Sequence, residues 1–288
     1  MPTVDELLRQ ANSTDNDDVA LARYLAALEL DTNDSRIHYN IGLIHKYRGQ
    51  WRDSFKYNKR AFELKPSDDA SRWNLAIAAT ALRDWKTARD IWKLCGMTLE
   101  GEEGPIADDF GTTPIRLNPD GGAEVVWAQR LCPVRARILN LPFPESGVAY
   151  GDVVLHDGAP VGSRLDSNGK EKSVFNMLEM FEPGDYSTYV VNAEAQSRQL
   201  VTDLETLCEA RRMAFEDWHA SVNPMCRACS EGRPHENHDH EIRAKVWNPS
   251  RIIGIGAQRP EDVEAVLGAW AGEVTDWRVV LERPPRAT

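Results

Sequence analysis

Five side chains of the types that bind transition metals lie close together between residues 224 and 241. Cys226 and Cys229 form a C-x2-C pair, and His235, His238 and His240 follow it. The cysteine spacing lets both sulfur atoms reach one ion, and two of the histidines can complete a tetrahedral set without help from elsewhere. Thiolate and imidazole ligands in this geometry suit zinc. The segment therefore predicts a zinc site, although the sequence does not decide which two histidines are ligands.

The same segment has a simpler interpretation as a solvated, histidine-rich loop with two ordinary thiols. If zinc is bound, we expect a structural site, because residues 222–246 lack apolar periodicity and metal binding would supply folding free energy there. A catalytic role requires an open coordination position and a nearby base, for which Glu236, Asp239 and Glu241 are the candidates.

Other catalytic patterns are weak or missing. His156 and Asp157 end an apolar stretch and could form an acid–base pair, but one histidine beside a turn aspartate more often has a structural role. The phosphate-binding loop, the H-E-x-x-H motif and the G-x-S-x-G motif do not occur. Gly254 and Gly256 match only the start of a dinucleotide fingerprint, and we interpret them as strand glycines that allow close packing. The sequence therefore predicts no catalytic residue.

Charge and composition narrow the class of protein. The 288 residues include 34 basic and 45 acidic ones, so a net charge of -11 disfavours nucleic acid and favours a basic protein as partner. The first residues, MPTVDELLRQ, lack the features of a signal peptide, and there is no run of 18 apolar residues. We therefore expect a cytoplasmic protein outside the membrane, of two domains, with reduced cysteines. The cysteines are Cys95, Cys132, Cys208, Cys226 and Cys229.

The N-terminal third contains an internal repeat with a period of 34 residues, in the segments 1–34, 35–68 and 69–102. Small residues recur at two equivalent places, and they allow two helices to approach closely. These residues are Ala20, Ser54 and Ala88 at the first place, and Ala27, Ala61 and Cys95 at the second.

The second copy of the repeat resembles the tetratricopeptide repeat family. Its eight matching residues are His38, Ile41, Gly42, His45, Gly49, Ser54, Ala61 and Pro66. The sequence departs from the family pattern at His38, where the family most often has Trp, at Asn58, where an aromatic residue is usual, and in the polar stretch NSTDNDD of the first copy. The resemblance implies an all-α array of three helix-turn-helix units over residues 1–102, which would bind another protein.

The resemblance also implies which residues line the concave groove of such an array. Asn40 and Asn74 lie one repeat apart, at places that fix the backbone of an extended ligand in peptide-binding members of the family, and Arg36 and Lys46 would favour an acidic or C-terminal segment. The alternative is that the asparagines satisfy polar groups between helices and that the groove is filled by the second domain. The expected partner-binding residues are Arg36, Tyr39, Asn40, Lys46, Tyr47, Trp73 and Asn74, with Leu43, Ile77 and Thr80 beside them.

Residues 103–122 are rich in Gly, Pro and acidic side chains and are expected to form a linker. From 123 to 288 the pattern predicts an α+β domain with a mostly antiparallel or mixed sheet and helices on one face. We expect strands at 124–131, 134–141, 150–158, 173–181, 187–192, 251–257 and 277–282, one long helix at 194–221 and another at 260–272. Asp157 and Gly158 suit a tight turn, and Cys132-Pro133 suits a bend in one long strand as well as a hairpin.

These observations favour a non-enzymatic protein-binding adaptor or inhibitor. A narrower version of this hypothesis is an immunity protein that neutralises a bacterial toxin. The alternative is a zinc-dependent hydrolase or deaminase-like enzyme whose repeats recruit the substrate. A third hypothesis is a regulator in which Cys226 and Cys229 sense oxidation or metal supply.

Overall fold

The computed structural model describes residues 2–221, 227–233, 247–270 and 277–280. The chain divides into two compact units. The first contains the residues up to Asp109 together with Leu131–Val134, and the second contains Phe110–Arg130 and the residues from Arg135 onward. No helix in the described ranges combines the length and apolar character that crossing a bilayer requires.

Six helices between Val4 and Leu94 form the first unit's array, in which each helix packs against the next one along the chain. Helices at equivalent places begin one repeat period apart, at Asp17, Trp51 and Trp85 and again at Ser35 and Asp69, as the period in the sequence predicts. The helices are α1 (Val4–Asn12), α2 (Asp17–Leu30), α3 (Ser35–Tyr47), α4 (Trp51–Leu64), α5 (Asp69–Ala81) and α6 (Trp85–Leu94).

Local sequence explains where these helices begin. The side chains of Asp34, Asp68 and Asp84 each accept a hydrogen bond from a backbone N–H in the first turn of α3, α5 and α6, and Thr3 and Glu6 form a capping box at α1. Such caps satisfy donors that the helix leaves unpaired, and they stabilise the helix by roughly 1 kcal/mol each. The helix boundaries are therefore encoded by residues within a few positions of each start.

Helices α3 and α4 pack closely around Gly42. A Cβ atom at this position would lie 2.5 Å from Nδ2 of Asn58. Asn58 is fully buried and its Nδ2 donates to the carbonyl oxygen and Oγ of Ser54 at 2.9 and 3.2 Å, while Ser54 Oγ donates to the carbonyl oxygen of Gly42 at 3.0 Å. A polar contact thus occupies the place where the sequence has asparagine instead of an aromatic residue.

The segment after α6 is held by a buried arginine. The guanidinium of Arg89, which is 3% exposed, donates to the backbone carbonyl oxygens of Glu100, Gly101, Gly104 and Pro105 at 2.9–3.1 Å. These bonds satisfy carbonyl groups in a stretch without regular secondary structure, and they place the chain against the last helix of the array.

The second unit contains a closed five-stranded barrel and a separate four-stranded sheet, where the sequence led us to expect a single sheet. All neighbouring barrel strands are antiparallel except β1 and β5, which pair in parallel through Ile115 and Phe175. The barrel strands are β1 (Thr112–Leu117), β2 (Glu124–Arg130), β3 (Arg135–Ile138), β4 (Val153–Leu165) and β5 (Glu171–Glu182).

Several local predictions for the barrel need correction. Strand β1 lies inside the stretch that was expected to be a linker. It forms a strand by pairing with β2 and β5, which follow later in the chain, so its local sequence alone does not indicate it. Of the two alternatives for Cys132-Pro133, the hairpin is the one observed, because β2 and β3 pair with Arg130 opposite Ala136. Asp157 and Gly158 do not form a hairpin turn, because β4 continues through them with register shifts against β5.

The second sheet has the order β7-β8-β6-β9, and all its pairs are antiparallel. Its chain order, strand-helix-strand-strand-helix-strand, is that of the ferredoxin-like split βαβ arrangement. Between β7 and β8, the described residues include two short helices. The elements are β6 (Ser187–Glu194), α7 (Arg198–Glu209), β7 (Ala214–Asp217), α8 (Trp218–Ser221), α9 (Arg227–Ser230), β8 (Ser250–Ala257), α10 (Pro260–Trp270) and β9 (Trp277–Val280).

The predicted helix at 194–221 is wrong beyond Glu209. Its backbone turns at Arg212, where φ is 58°, and Met213 N–H donates to the carbonyl oxygen of Cys208 at 3.0 Å. This left-handed residue and backward hydrogen bond terminate a helix in the usual way. The amphipathic pattern then continues in β7, whose pairing with β8 decides its conformation.

The two faces of this sheet have different packing partners. Buried residues of α7 and α10, among them Leu204 and Leu267, pack with Val191, Ile253 and Ile255 on one face. On the other face Gly254 lies so close to Trp218 and Leu141 that a Cβ atom would be 2.5 and 2.6 Å from their side chains. The interpretation of this residue as a strand glycine that allows close packing is confirmed.

Candidate functional site

The predicted zinc ligands are only partly within the described structure. Cys226, His235, His238 and His240 lie outside the described residues. Cys229 lies in α9, where its side chain is half-buried and forms no disulfide with a described residue. Within the described ranges no three His, Cys, Asp or Glu side chains are grouped so as to hold a metal ion, and the zinc site remains a prediction.

The residues around Cys229 are fixed against the barrel. Ser163 N–H donates to the carbonyl oxygen of Gly232 at 3.2 Å, and Arg164 Nη2 donates to the carbonyl oxygen of Cys229 at 3.0 Å. Arg116 Nε donates to Ser230 Oγ at 2.9 Å. Since these bonds involve backbone groups and two strands of the barrel, they set the position of the Cys229 thiol.

On the array, the expected groove residues of α3 differ in exposure. Arg36 has 61% of its side chain exposed, and its guanidinium bonds Asp34 at 2.6 Å and Asp5 of α1 at 3.2 Å. Tyr47 is 58% exposed, and Tyr39 and Asn40 are half-buried. We call Arg36, Tyr39, Asn40 and Tyr47 the α3 face.

Two further predicted groove residues contact each other. Lys46 and Asn74 are 3% and 5% exposed, and Lys46 Nζ donates to Asn74 Oδ1 at 3.2 Å. This bond joins the equivalent helices α3 and α5 of successive repeats. Trp73 is half-buried, and its ring meets that of the buried Trp92 edge-on at 4.9 Å. These three residues stabilise the array in this structure, and the α3 face is its more accessible part.

A cavity of about 630 Å³ lies in the ferredoxin-like part of the second unit. It is lined by one face of α7, by β7, by Ala220 and Ser221 of α8, and by Trp247 and Arg251 at the start of β8. The sequence contains no direct sign of this site, since its residues come from four separate elements, α7, β7, α8 and β8, and from Trp247. The signal that could have indicated it is the spacing of Arg198, Thr202 and Glu205 along one helix face.

Arginine and tryptophan side chains dominate one end of the cavity. Arg251 is 6% exposed, forms an ion pair with Asp217 and lies 4.7 Å from the centre of the Trp247 ring. The guanidinium of Arg198 lies 5.9 Å from the same ring. Trp247 Nε1 donates to the carbonyl oxygen of Ala195 at 3.1 Å, which helps to fix the ring within cation–π distance of both guanidinium groups.

Two other titratable groups of the second unit have strongly shifted pKa values. Burial lowers the pKa of His156 to about 3, and its Nδ1 lies 2.7 Å from the carbonyl oxygen of Asp157. Burial raises the pKa of Glu124 to about 7, with a further contribution from the charges of Glu216 and Glu145, although the backbone N–H of Phe143 partly opposes this. A fully buried histidine that stays neutral fits a structural role.

Comparison with known proteins does not identify a family for this chain. No family model matches the chain, and no curated protein matches it. The solved structures that match include a hypothetical protein from Neisseria gonorrhoeae with 10% sequence identity, where the match covers 58% of this chain and 92% of that chain. Its TM-score of 0.29 is too low to carry an argument about fold or function.

Proposed function

We propose that this chain is a non-enzymatic protein-binding adaptor or inhibitor, and that its array, of the tetratricopeptide type, captures the partner. Support comes from the helix starts, which recur with the period of the repeat, and from the close approach of α3 and α4 at Gly42. Repeats of this kind present equivalent helices side by side, and their usual role is to bind a protein segment.

The observation that carries the proposal is the α3 face. It combines a largely exposed aromatic ring, Tyr47, with an exposed guanidinium, Arg36, on one helix whose position the bond between Lys46 and Asn74 fixes. Aromatic and arginine side chains on a rigid support are typical of binding hot spots. Because Asp34 and Asp5 already compensate the charge of Arg36, we expect packing and hydrogen bonds, more than net charge, to determine affinity there.

The charge distribution favours a basic partner. Residues 1–102 hold 15 basic and 16 acidic side chains, so residues 103–288 hold 19 basic and 29 acidic ones and carry nearly all of the net negative charge, -10 of -11. Such a surface accelerates association with a positively charged protein. A bacterial toxin neutralised by this chain as its immunity protein is the narrower form of the proposal.

Site-specific photo-crosslinking in cells that express the full chain tests this function. A crosslinking amino acid replaces Tyr39 on the α3 face, and a matched variant carries it at Lys56, an exposed residue of α4. We expect one discrete adduct from position 39 that disappears when Arg36→Ala and Tyr47→Ala are added. Equal adducts from both positions, or none from position 39, would contradict the proposal.

We also propose a structural zinc ion held by Cys226, Cys229 and two of His235, His238 and His240. The anchoring of Cys229 to the barrel supports a structural role, because it gives the site one fixed ligand position. Elemental analysis should find one zinc per chain that is lost in Cys226→Ser/Cys229→Ser. A zinc ion with a labile water would instead favour the hydrolase or deaminase-like alternative.

A further inference from the structure

The cavity beside α7 has the features of a peptide-binding site. It is lined by Phe215, Glu216 and Asp217, three consecutive residues of β7. Successive side chains of a strand point to opposite faces, so a cavity reaches all three only if it runs along the outer edge of the strand. Within the described structure β7 is an edge strand, with β8 on its inner side. The cavity therefore borders backbone N–H and C=O groups that a further strand can pair with.

The end of the cavity near the start of α7 suits a negative group. Arg198 is exposed, occupies the first turn of α7 and has no carboxylate within salt-bridge distance among the described residues. Donors at a helix N-terminus favour an anion as well. A second observation points the same way, because Arg251, which is 6% exposed, has an Nε atom without a hydrogen-bond partner in the described part of the chain.

The other end of the cavity suits a positive group. Glu205 lies seven residues after Arg198 on the same face of α7, which is about 10.5 Å along the helix axis. Glu205 and Glu216 both line the cavity, and neither forms an ion pair with a described residue. Val201 and Phe215 provide apolar surface between the two ends. An extended chain spans this distance with three or four residues.

We infer that this cavity binds a short extended peptide that pairs with the edge of β7. Its C-terminal carboxylate bonds Arg198 near the ring of Trp247, and a basic residue near its amino terminus lies against Glu205. The volume of about 630 Å³ is in the range of small-ligand sites. This site lies in the second unit and is independent of the partner proposed for the α3 face.

Titration calorimetry on the full-length protein tests the inference, with the tetrapeptide Lys-Ala-Leu-Ala carrying free termini as the probe. We expect saturable binding that weakens about tenfold or more when the C-terminus is amidated or Arg198→Gln is introduced, because one charge-assisted contact is lost. Glu205→Gln should weaken binding of the same peptide. Methylation of a backbone nitrogen in the peptide should weaken it as well, since strand pairing needs that donor.

Matched controls keep the test specific. Arg211→Gln and Glu209→Gln remove the same charges at the other end of α7, outside the cavity lining, and should leave affinity unchanged. The inference is overturned by an absence of binding at millimolar peptide. It is also overturned by binding that is insensitive to amidation and to Arg198→Gln. Neither result would change the crosslinking expected at the α3 face. The peptide site and the partner site on the α3 face can therefore be refuted independently of each other.

Discussion

Replacement of Gly42 by alanine tests the packing that defines the array. The new Cβ atom would lie 2.5 Å from Nδ2, 2.8 Å from Cγ and 3.0 Å from Oδ1 of Asn58. Asn58 is fully buried and holds two hydrogen bonds to Ser54, so its side chain has no solvent-filled space to move into. Overpacking of this kind costs about 1–3 kcal/mol. Alanine is favoured over glycine in a helix by about 1 kcal/mol, so the net destabilisation expected from the two effects is about 0–2 kcal/mol.

A double-mutant cycle isolates the clash from the helix effect. In an Asn58→Ala background the added methyl group meets no amide, and Gly42→Ala should then be neutral or stabilise the helix by up to about 1 kcal/mol. Urea unfolding of all four proteins, followed by far-ultraviolet circular dichroism, measures the coupling. The same destabilisation by Gly42→Ala in both backgrounds would refute the close approach of α3 and α4 at this residue.

Three further perturbations follow from individual residues. Arg89→Ala should destabilise the first unit by about 3 kcal/mol, because four partly buried hydrogen bonds from a guanidinium to backbone carbonyl oxygens are lost. Arg89→Lys should not restore this stability, since one ammonium group cannot reproduce the geometry of the guanidinium, and urea unfolding measures both variants. His156 has a folded pKa of about 3 against 6.5 in the unfolded chain, so it contributes stability that is complete above pH 6.5 and is lost as pH falls toward 3, by about 5 kcal/mol at most. The unfolding free energy of His156→Asn should therefore fall less steeply with decreasing pH than that of the wild type. Glu124 has a folded pKa of about 7 against 4.5 in the unfolded chain, so it contributes stability that is complete below pH 4.5 and is lost as pH rises through 7. Glu124→Gln should therefore stabilise the protein by about 1–2 kcal/mol above pH 7 and leave its stability unchanged below pH 4.5. If the variant and the wild type lost stability in parallel as pH rises, the assignment to Glu124 would be contradicted.

The sequence predicts the array well because its determinants are local. The small residues at equivalent places, the capping aspartates and the repeat period all act within one or two helices, and the observed helices begin where these signals place them. Gly42 and Asn58 belong to adjacent helices, and the contact between them follows from one helical hairpin. The structure confirms the coarse division of the chain into an all-α region and a β-containing domain.

The second unit could not be predicted to the same depth, because its conformation depends on distant partners. Residues Thr112–Leu117 form a strand only through pairing with β2 and with β5, which comes much later in the chain. The chain after Arg212 has an amphipathic pattern that suits a helix, yet pairing with β8 makes it a strand. The cavity has the same origin, since Arg198, Trp247 and Arg251 meet only after the split βαβ arrangement has formed.

The affinity of the crosslinked partner for purified variants tests the central claim most directly. Once the adduct from position 39 identifies the partner, calorimetry compares the wild type with Arg36→Ala/Tyr47→Ala and with the matched pair Lys56→Ala/Lys59→Ala on α4. We expect the α3 variant to lose at least tenfold in affinity, because an aromatic and an arginine contact are removed, and the α4 variant to bind as the wild type does. Equal affinity of all three proteins would contradict the claim that the helical array captures the partner through the α3 face.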